Sequence, residues 1–246
     1  MNETITTMQS HRSDRSFTDE PVSEAMLTEI IKAAHCSPSS INGQQVSLVV
    51  VRDPVRRARI AEIAGGQPWV AQAPVFIAVV IDFYKANVAA EMAGRKQVIH
   101  ESVEGFGVGA VDAGIILGNL MTAARSLGLG IVPIGGIRRD PQAMVDLLEL
   151  PPYTFPIDGL CIGHIAQHAV QKPRLPLNSF WHNETYHREA IAPAIKEYDA
   201  VLTEYWKQTG RPEGTAWSTN TAGFYRHVYF PNVKPVAEKQ GFLNNK

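Results

Sequence analysis

The chain has 246 residues, of which 45% are hydrophobic and 19% are charged. That length suits one large domain or two small ones, with enough apolar residues to fill a core. Lys and Arg number 23 against 24 Asp and Glu, so the formal net charge is −1. Without a basic surplus to neutralise a run of phosphates, nucleic-acid binding is disfavoured.

The same composition favours a cytoplasmic protein without a membrane segment. The first ten residues, MNETITTMQS, lack the basic and then apolar pattern of a signal peptide. We expect no apolar stretch to reach the roughly 18–20 residues of a membrane span. Cys36 and Cys161 lie far apart among apolar neighbours. A disulfide between them is possible, but buried free thiols in a reducing compartment are favoured.

Helical and strand patterns alternate along the chain and predict one α+β or α/β domain over residues 1–246. In chain order the pattern predicts a helix (23–35), a loop (37–45), a strand (46–51), a helix (53–64), a loop (65–69), a strand (74–82), a helix (104–130), a strand entering a glycine turn (131–136), a helix (140–150), a strand (157–165), a proline-bounded loop (171–176), a helix (195–209) and a helix over about 217–228 followed by a tail. Polar residues 86–103 are interpreted as a mobile helix or a lid. A C-terminal helical extension begins at about residue 195.

The helix predicted over 104–130 is apolar around most of its circumference and rich in Gly and Ala. Such a helix is buried on several sides, which indicates a core or subunit-interface helix. Its residues 105–110, GFGVGA, formally fit the dinucleotide fingerprint G-x-G-x-x-A. They follow polar HESVE and not a strand, so we do not expect dinucleotide binding there.

Two basic segments are candidate anion sites. HRSDR (11–15) contains His11, Arg12, Ser13 and Arg15, and Arg holds phosphate or carboxylate with two hydrogen bonds at once. KPRLP (172–176) contains Lys172 and Arg174, which point to the same side if the segment is extended. If the two segments converge, they suit a phosphate monoester. Taken singly, each segment is more readily interpreted as solvated surface charge.

Neutral loops are candidates for a polar, planar ligand. Their donors and acceptors suit a heterocycle better than an ion: Ser39, Ser40, Asn42, Gln44 and Gln67. Gly135 and Gly136 would let the backbone approach such a ligand closely. Plain turns are the alternative interpretation. His164 with His168, and His182 with His187, lie in apparent loops without supporting ligands, so we predict no metal site.

Taken together and in order, these segments resemble the flavin-dependent nitroreductase family, in its NAD(P)H:FMN oxidoreductase branch. The matching strings run from about residue 8 to 218: HRSDRSFTDEPVSE, SPSSINGQQV, AGGQPW, GAVDAGI, RSLGLG, PIGGIRRDP, FPIDGLCIGH, KPRLP and YDAVLTEYW. The resemblance implies an α+β fold with a mixed sheet flanked by helices. It also implies an intertwined homodimer with two FMN sites at the subunit interface.

The resemblance further implies the role of each candidate residue. The FMN phosphate and ribityl chain would meet His11, Arg12, Ser13 and Arg15, with Lys172 and Arg174 completing the phosphate site. Ser39 and Ser40 would reach the flavin from the partner subunit. The isoalloxazine ring would be lined by Gln67, Pro133, Ile134, Gly135 and Gly136.

By the same resemblance the protein would be an NAD(P)H-dependent flavin reductase or nitroreductase. Hydride would pass from the nicotinamide to FMN and then to nitroaromatics, quinones, free flavin or similar small acceptors in ping-pong order, without a catalytic side chain. Relatives that prefer NADPH carry arginines where this chain has Gln208 and Gly214, although Lys207 and Arg211 lie close by. NADH use therefore stays open. The alternatives are a dehalogenase-type member of the superfamily and a non-catalytic FMN-binding redox sensor.

Overall fold

The computed structural model describes residues 2–244. The chain divides into two compact units. One runs up to Ala169 and resumes at Phe230, and the other is Val170–Tyr229. The single domain over 1–246 stays a prediction.

A four-stranded sheet forms the centre of the first unit. Its strands are β1 (Val46–Val51), β2 (Val75–Asp82), β3 (Gly130–Pro133) and β4 (Thr154–Gly163), in the order β1-β2-β4-β3. Every paired strand of the described sheet is antiparallel, which corrects the expectation of a mixed sheet. Every residue of β2 is buried, as its uninterrupted apolar run predicts for a strand covered on both faces.

Eight helices of the described residues belong to the first unit. They are α1 (Glu3–Gln9), α2 (Glu24–His35), α3 (Pro54–Ile63), α4 (Pro68–Gln72), α5 (Tyr84–Met92), α6 (Val103–Ser126), α7 (Pro141–Leu147) and α10 (Val233–Lys239). Ser23, Asp53 and Asp140 each accept a backbone N–H three residues on, which fixes where α2, α3 and α7 begin. The predicted helices and strands of this unit are thus present, with shifted ends.

Helices cover both faces of the sheet. On one face α2 and α6 contribute Leu27 and Leu120 to a buried cluster, and on the other α3 and α7 contribute Ile60 and Met144. The two faces alternate along the strands, so Phe76 lies in one cluster and Ile77 in the other. The loops at the edges of the sheet are therefore supported by a rigid, double-sided core.

Helix α6 is the longest helix described, with 24 residues. By length and composition alone it could cross a membrane, which corrects the expectation that no stretch is long enough. Leu120 and Ala124 are buried against the sheet, while Val103 and Val111 are 80% and 62% exposed. The helix ends before residue 130 because Gly128 has a φ of +79° and Gly130 begins β3.

Three helices were not predicted, namely α1, α4 and α10. The predicted C-terminal tail is corrected most clearly, because Val236, Ala237 and Phe242 are buried in the core of the first unit. Of the segment 86–103, no residue of α5 is buried, but Gln97 and His100 are. Its role as a lid stays a prediction.

The second unit contains α8 (Ile191–Gln208) and α9 (Trp217–Tyr225). Tyr198, Leu202 and Trp206 form its small buried cluster along one face of α8. Asp199 accepts hydrogen bonds from the backbone N–H of Ser218 at 3.0 Å and from its hydroxyl at 2.5 Å. These bonds lower the pKa of Asp199 and join the start of α9 to α8.

Candidate functional site

The HRSDR segment lies along one edge of the sheet. The backbone N–H of Asp14 donates to the carbonyl of Ile131 in β3 at 2.9 Å, and Thr18 donates to His164 at 2.9 Å. The Asp14 carboxylate is 1% exposed, and its Oδ1 accepts from the backbone N–H of Ala169 at 3.0 Å. The segment is therefore fixed while its basic side chains stay accessible.

Those side chains are exposed to different degrees. His11, Arg12 and Ser13 are half-buried and Arg15 is exposed. The Arg15 guanidinium lies 5.3 Å from the ring centroid of Trp69 in α4, and its Nη1 donates to the carbonyl of Ser13 at 3.2 Å. The structure thus brings the predicted anion segment beside the helix whose N-cap is Gln67.

Behind this segment lies Arg125, near the end of α6. Its Nη2 donates to the carbonyl of Ser10 at 3.0 Å and to its hydroxyl at 3.1 Å. Burial lowers the pKa of Arg125, and the neighbouring charge of Arg12 adds to the effect. Positive charge is therefore concentrated where the sequence predicts an anion.

The predicted ring-lining residues meet at a turn after β3. Gln67 Nε2 donates to the carbonyl of Ala64 at 2.8 Å, and a Cβ on Gly136 would come within 2.6 Å of that same Nε2. Only glycine fits at 136 without displacing Gln67. Pro133 is half-buried, whereas the Ile134 side chain is 1% exposed in the core. Ile134 can therefore present only its backbone to a ligand.

The loop carrying Ser39 and Ser40 is fastened to α6. The backbone N–H of Ser40 donates to Asp112 Oδ2 at 3.2 Å, and Gln45 Nε2 donates to the same oxygen at 2.5 Å. Ser39 Oγ accepts from the backbone N–H of Gln44 at 3.1 Å. Within this loop three residues with side chains adopt positive φ: Ile41, Asn42 and Gln44.

Lys172 and Arg174 belong to the second unit. The Lys172 ammonium lies 4.9 Å from the ring centroid of Trp206, and the Arg211 guanidinium lies 4.6 Å from it. Lys172, Arg174 and Tyr205 also line a cavity of about 580 Å³. Convergence of these two cations with residues 11–15 stays a prediction.

Sequence reasoning missed two site residues, Asp14 and Asp112. Each is almost fully buried and accepts N–H groups from a loop with candidate cofactor contacts. The sequence did offer a signal for each residue. Asp14 is a carboxylate within the basic string HRSDR, and Asp112 is a carboxylate within the apolar string GAVDAGI. A buried carboxylate needs hydrogen-bond donors, and the backbone N–H groups of a loop can supply them. A carboxylate in such a string therefore predicts a loop packed against it.

Other reactive groups take a smaller part. Among residues 2–244 no group of three or more His, Cys, Asp or Glu side chains is placed to hold a metal ion. Both cysteines are free thiols. Burial raises the pKa of Cys161, whereas Cys36 is exposed, which corrects the expectation that both are buried.

The residues present fit an FMN group. The glycine turn against Gln67 leaves backbone close to the surface, and hydroxyl, imidazole and guanidinium groups suit a phosphate. The Trp69 indole adds an aromatic face beside Arg15.

Comparison with known proteins gives the same answer over the whole chain. The Nitroreductase family matches residues 8–164, and the Nitroreductase family C-terminal domain matches residues 172–245. An FMN reductase [NAD(P)H] of Bacillus subtilis is 48% identical over 249 residues, covering 100% of both chains. The chain therefore belongs to the nitroreductase family, as the sequence predicts.

Solved structures agree in detail. The structure of NfrA2 from B. megaterium superposes with a TM-score of 0.97 at 44% identity and 100% coverage of both chains. The NADPH:FMN oxidoreductase of Vibrio harveyi, solved in complex with NAD+, superposes with a TM-score of 0.90 at 32% identity, covering 99% of this chain and 100% of that one. The predicted α+β fold of this family is confirmed.

Proposed function

We propose that this chain is an FMN-dependent oxidoreductase that passes two electrons from NADH or NADPH to a flat acceptor in ping-pong order. The predicted FMN cofactor, the NAD(P)H donor and the flavin reductase activity are confirmed by the names of relatives aligned over nearly their full length. Nitroaromatics, quinones and free flavin are the acceptors we propose.

One observation carries this function. The Arg15 guanidinium packs on the ring of Trp69, and the side-chain amide of Gln67, two residues before Trp69, packs against Gly136. A phosphate-binding segment and a ring-lining turn are thereby parts of one surface. In that surface His11, Arg12, Ser13 and Arg15 would hold the phosphate end. Gln67 and the backbone of Gly135 and Gly136 would orient the isoalloxazine ring.

Bound FMN supplies the hydride chemistry, and the protein supplies position and charge. Gly135 and Gly136 would offer backbone N–H groups to negative charge on the N1/O2 edge of the ring, since bare amides can approach it closely. The basic groups of residues 11–15 would balance the negative charge of the phosphate. No side chain needs to act as a nucleophile or to carry a proton.

We also propose that the protein works as an intertwined homodimer, with Ser39 and Ser40 reaching the flavin of the partner subunit. The support is apolar surface on and near α6: Val103 and Val111 are largely exposed, and Ile41 is 98% exposed. Burial of such side chains against a second copy is favourable by about 25 cal/mol per Å² of apolar area. We further propose a cytoplasmic location, which two free thiols support.

The preference between the two nicotinamides is proposed to be weak. A Cβ on Gly214 would come within 2.3 Å of the Trp206 ring, so this position has no room for an arginine. Arg211 is stacked on the Trp206 ring, 4.6 Å from its centroid, and offers one guanidinium near this position. One cation beside a 2′-phosphate gives less discrimination than two.

An anaerobic half-reaction tests the function. The purified, FMN-loaded protein is mixed with NADH or NADPH, and the oxidised-flavin absorption band is followed before and after an acceptor is added. Rapid bleaching and acceptor-dependent recovery are expected. A sample that binds no FMN sinks the proposal, and FMN that stays oxidised favours a non-catalytic sensor. Bleaching followed by loss of halide from a halogenated acceptor favours the dehalogenase-type alternative.

A further inference from the structure

Arg138 packs against the glycine turn after β3. It lies in the short 3-10 helix Gly135–Arg139, and a Cβ on Gly135 would come within 2.8 Å of Arg138 Nη2. Its guanidinium is therefore in direct contact with the backbone of Gly135. The positive charge of Arg138 lies beside the turn that Gly135 and Gly136 form.

The same guanidinium is anchored to β4. Arg138 Nη1 donates to the carbonyl of Ile157 and lies 3.4 Å from Asp158 Oδ2. Consecutive residues of β2 pair with Asp158 and Pro156, so Ile157 is skipped in the register. This bulge places Ile157 outside the regular ladder, where its carbonyl meets a side-chain donor.

Asp158 closes a ring of contacts around the turn. Its Oδ1 accepts from the backbone N–H of Gly159 at 2.8 Å, and the Gly159 carbonyl accepts from Ile134 at 2.7 Å. Burial raises the pKa of Asp158, and Arg138 works against that rise. Both side chains are about one-quarter exposed, at 24% and 25%, so solvent screens their charges only in part.

We propose that Arg138 and Asp158 are positioning residues for the flavin: Arg138 fixes the glycine turn and sets a positive charge beside it, and Asp158 holds Arg138 there. This inference rests on the proposed function, since it takes the turn as the surface that meets the isoalloxazine ring. A positive charge near the ring favours the two-electron-reduced cofactor, and a negative charge disfavours it. The pair therefore tunes the midpoint potential of bound FMN.

The test is the midpoint potential of FMN bound to the full-length protein, with FMN affinity measured alongside. For Arg138→Gln we expect the preference for reduced over oxidised FMN to fall about tenfold, or about 30 mV to the negative side. Arg138→Lys keeps the charge but loses the planar fork, so its shift should be smaller. Asp158→Asn should shift the potential in the opposite direction. Arg139→Gln is the matched control, because it removes the same charge from the next, exposed residue.

Opposite shifts of the midpoint potential in Arg138→Gln and Asp158→Asn would distinguish an effect of charge from a disturbed structure. A merely structural role would shift the potential of both variants in the same direction. Unchanged potentials in Arg138→Gln and Asp158→Asn would overturn the inference, as would an equal shift in Arg139→Gln. If Arg138→Gln does not fold, Asp158→Asn still tests the inference, because a shift of its potential to the negative side would overturn it. Failure of the wild-type protein to bind FMN would instead count against the proposed function.

Discussion

Two irregular segments carry candidate cofactor contacts, and each is held by one buried carboxylate in a different way. In HRSDR the carboxylate belongs to the segment itself: Asp14 reaches inward and accepts from Ala169. In the loop 37–45 the carboxylate comes from outside: Asp112 of α6 accepts from Ser40 and Gln45. The first segment carries its own anchor, and the second depends on α6.

The difference matters for strain. The segment around Asp14 also has backbone hydrogen bonds to β3 and to the residues after β4, so its anchor is one of several. The loop around Ser40 includes three residues with side chains at positive φ, a conformation that costs free energy for such residues. Asp112 therefore contributes more to the stability of the loop 37–45 than Asp14 contributes to the stability of the HRSDR segment.

The largest expected effect is that of Asp112→Ala on stability. The substitution leaves the buried Gln45 amide without an acceptor, at about 1–3 kcal/mol, and the more exposed Ser40 N–H loses its bond as well. We expect the free energy of unfolding to fall by about 3 kcal/mol. Urea unfolding followed by circular dichroism measures it.

Two further variants sharpen this comparison. Asp112→Asn keeps one acceptor oxygen and should recover part of the loss. Asp14→Ala removes the acceptor of Ala169 but leaves the backbone bonds of its segment, so its loss should be smaller than that of Asp112→Ala. Equal losses in the two alanine variants would contradict the idea that the loop 37–45 depends on a single anchor.

The second prediction concerns FMN rather than stability. Arg15→Ala removes a charged contact worth about 1.5–3 kcal/mol, so FMN affinity should fall by at least about tenfold while the fold persists. Fluorescence titration of the apoprotein with FMN measures it. Arg59→Ala, which removes an exposed arginine paired with Glu62 on α3, is the control. Unchanged FMN affinity in Arg15→Ala would contradict the phosphate-binding role of this segment.

Sequence patterns predicted the parts of the structure whose cause is local. The apolar runs of β1 and β2 and the capped periodicity of α2 and α3 are legible within a few residues. Proline obscured much of the rest: Pro68 opens α4, Pro235 lies inside α10, and Pro156 hid the first three residues of β4. Proline usually marks a boundary, yet it is allowed in a first turn or beside a bulge.

The candidate site shows the same division between features with a local cause and features that depend on distant residues. The basic and glycine residues were predicted because their side chains, or the lack of one, indicate the ligand directly. Asp14 and Asp112 were missed because their partners lie 155 and 72 residues away in sequence. Ile134 was expected to line the ring but faces the core, since a strand end turns alternate residues inward.

The smallest expected effect concerns His100, a buried residue whose backbone holds the C-terminal segment and whose side chain titrates. His100 is 4% exposed, its Nδ1 lies 3.0 Å from Gln97 Nε2, and its carbonyl accepts from Leu243 near the C-terminus. Burial lowers the pKa of His100 below its ordinary 6.5; the charge of Lys96 lowers it further, while Glu101 opposes this. The unfolded chain therefore binds the proton more readily than the folded one.

It follows that His100 stabilises the fold fully above pH 6.5 and that this stability is lost as the pH falls below 6.5 toward the lowered folded value. We expect the free energy of unfolding to decline on acidification from about pH 7.5 to about pH 5.5, and His100→Asn to decline less steeply. His35→Asn, which changes an exposed histidine of α2, is the control and should keep the wild-type slope. A wild-type slope in His100→Asn would contradict a contribution of His100 protonation to the pH dependence of stability.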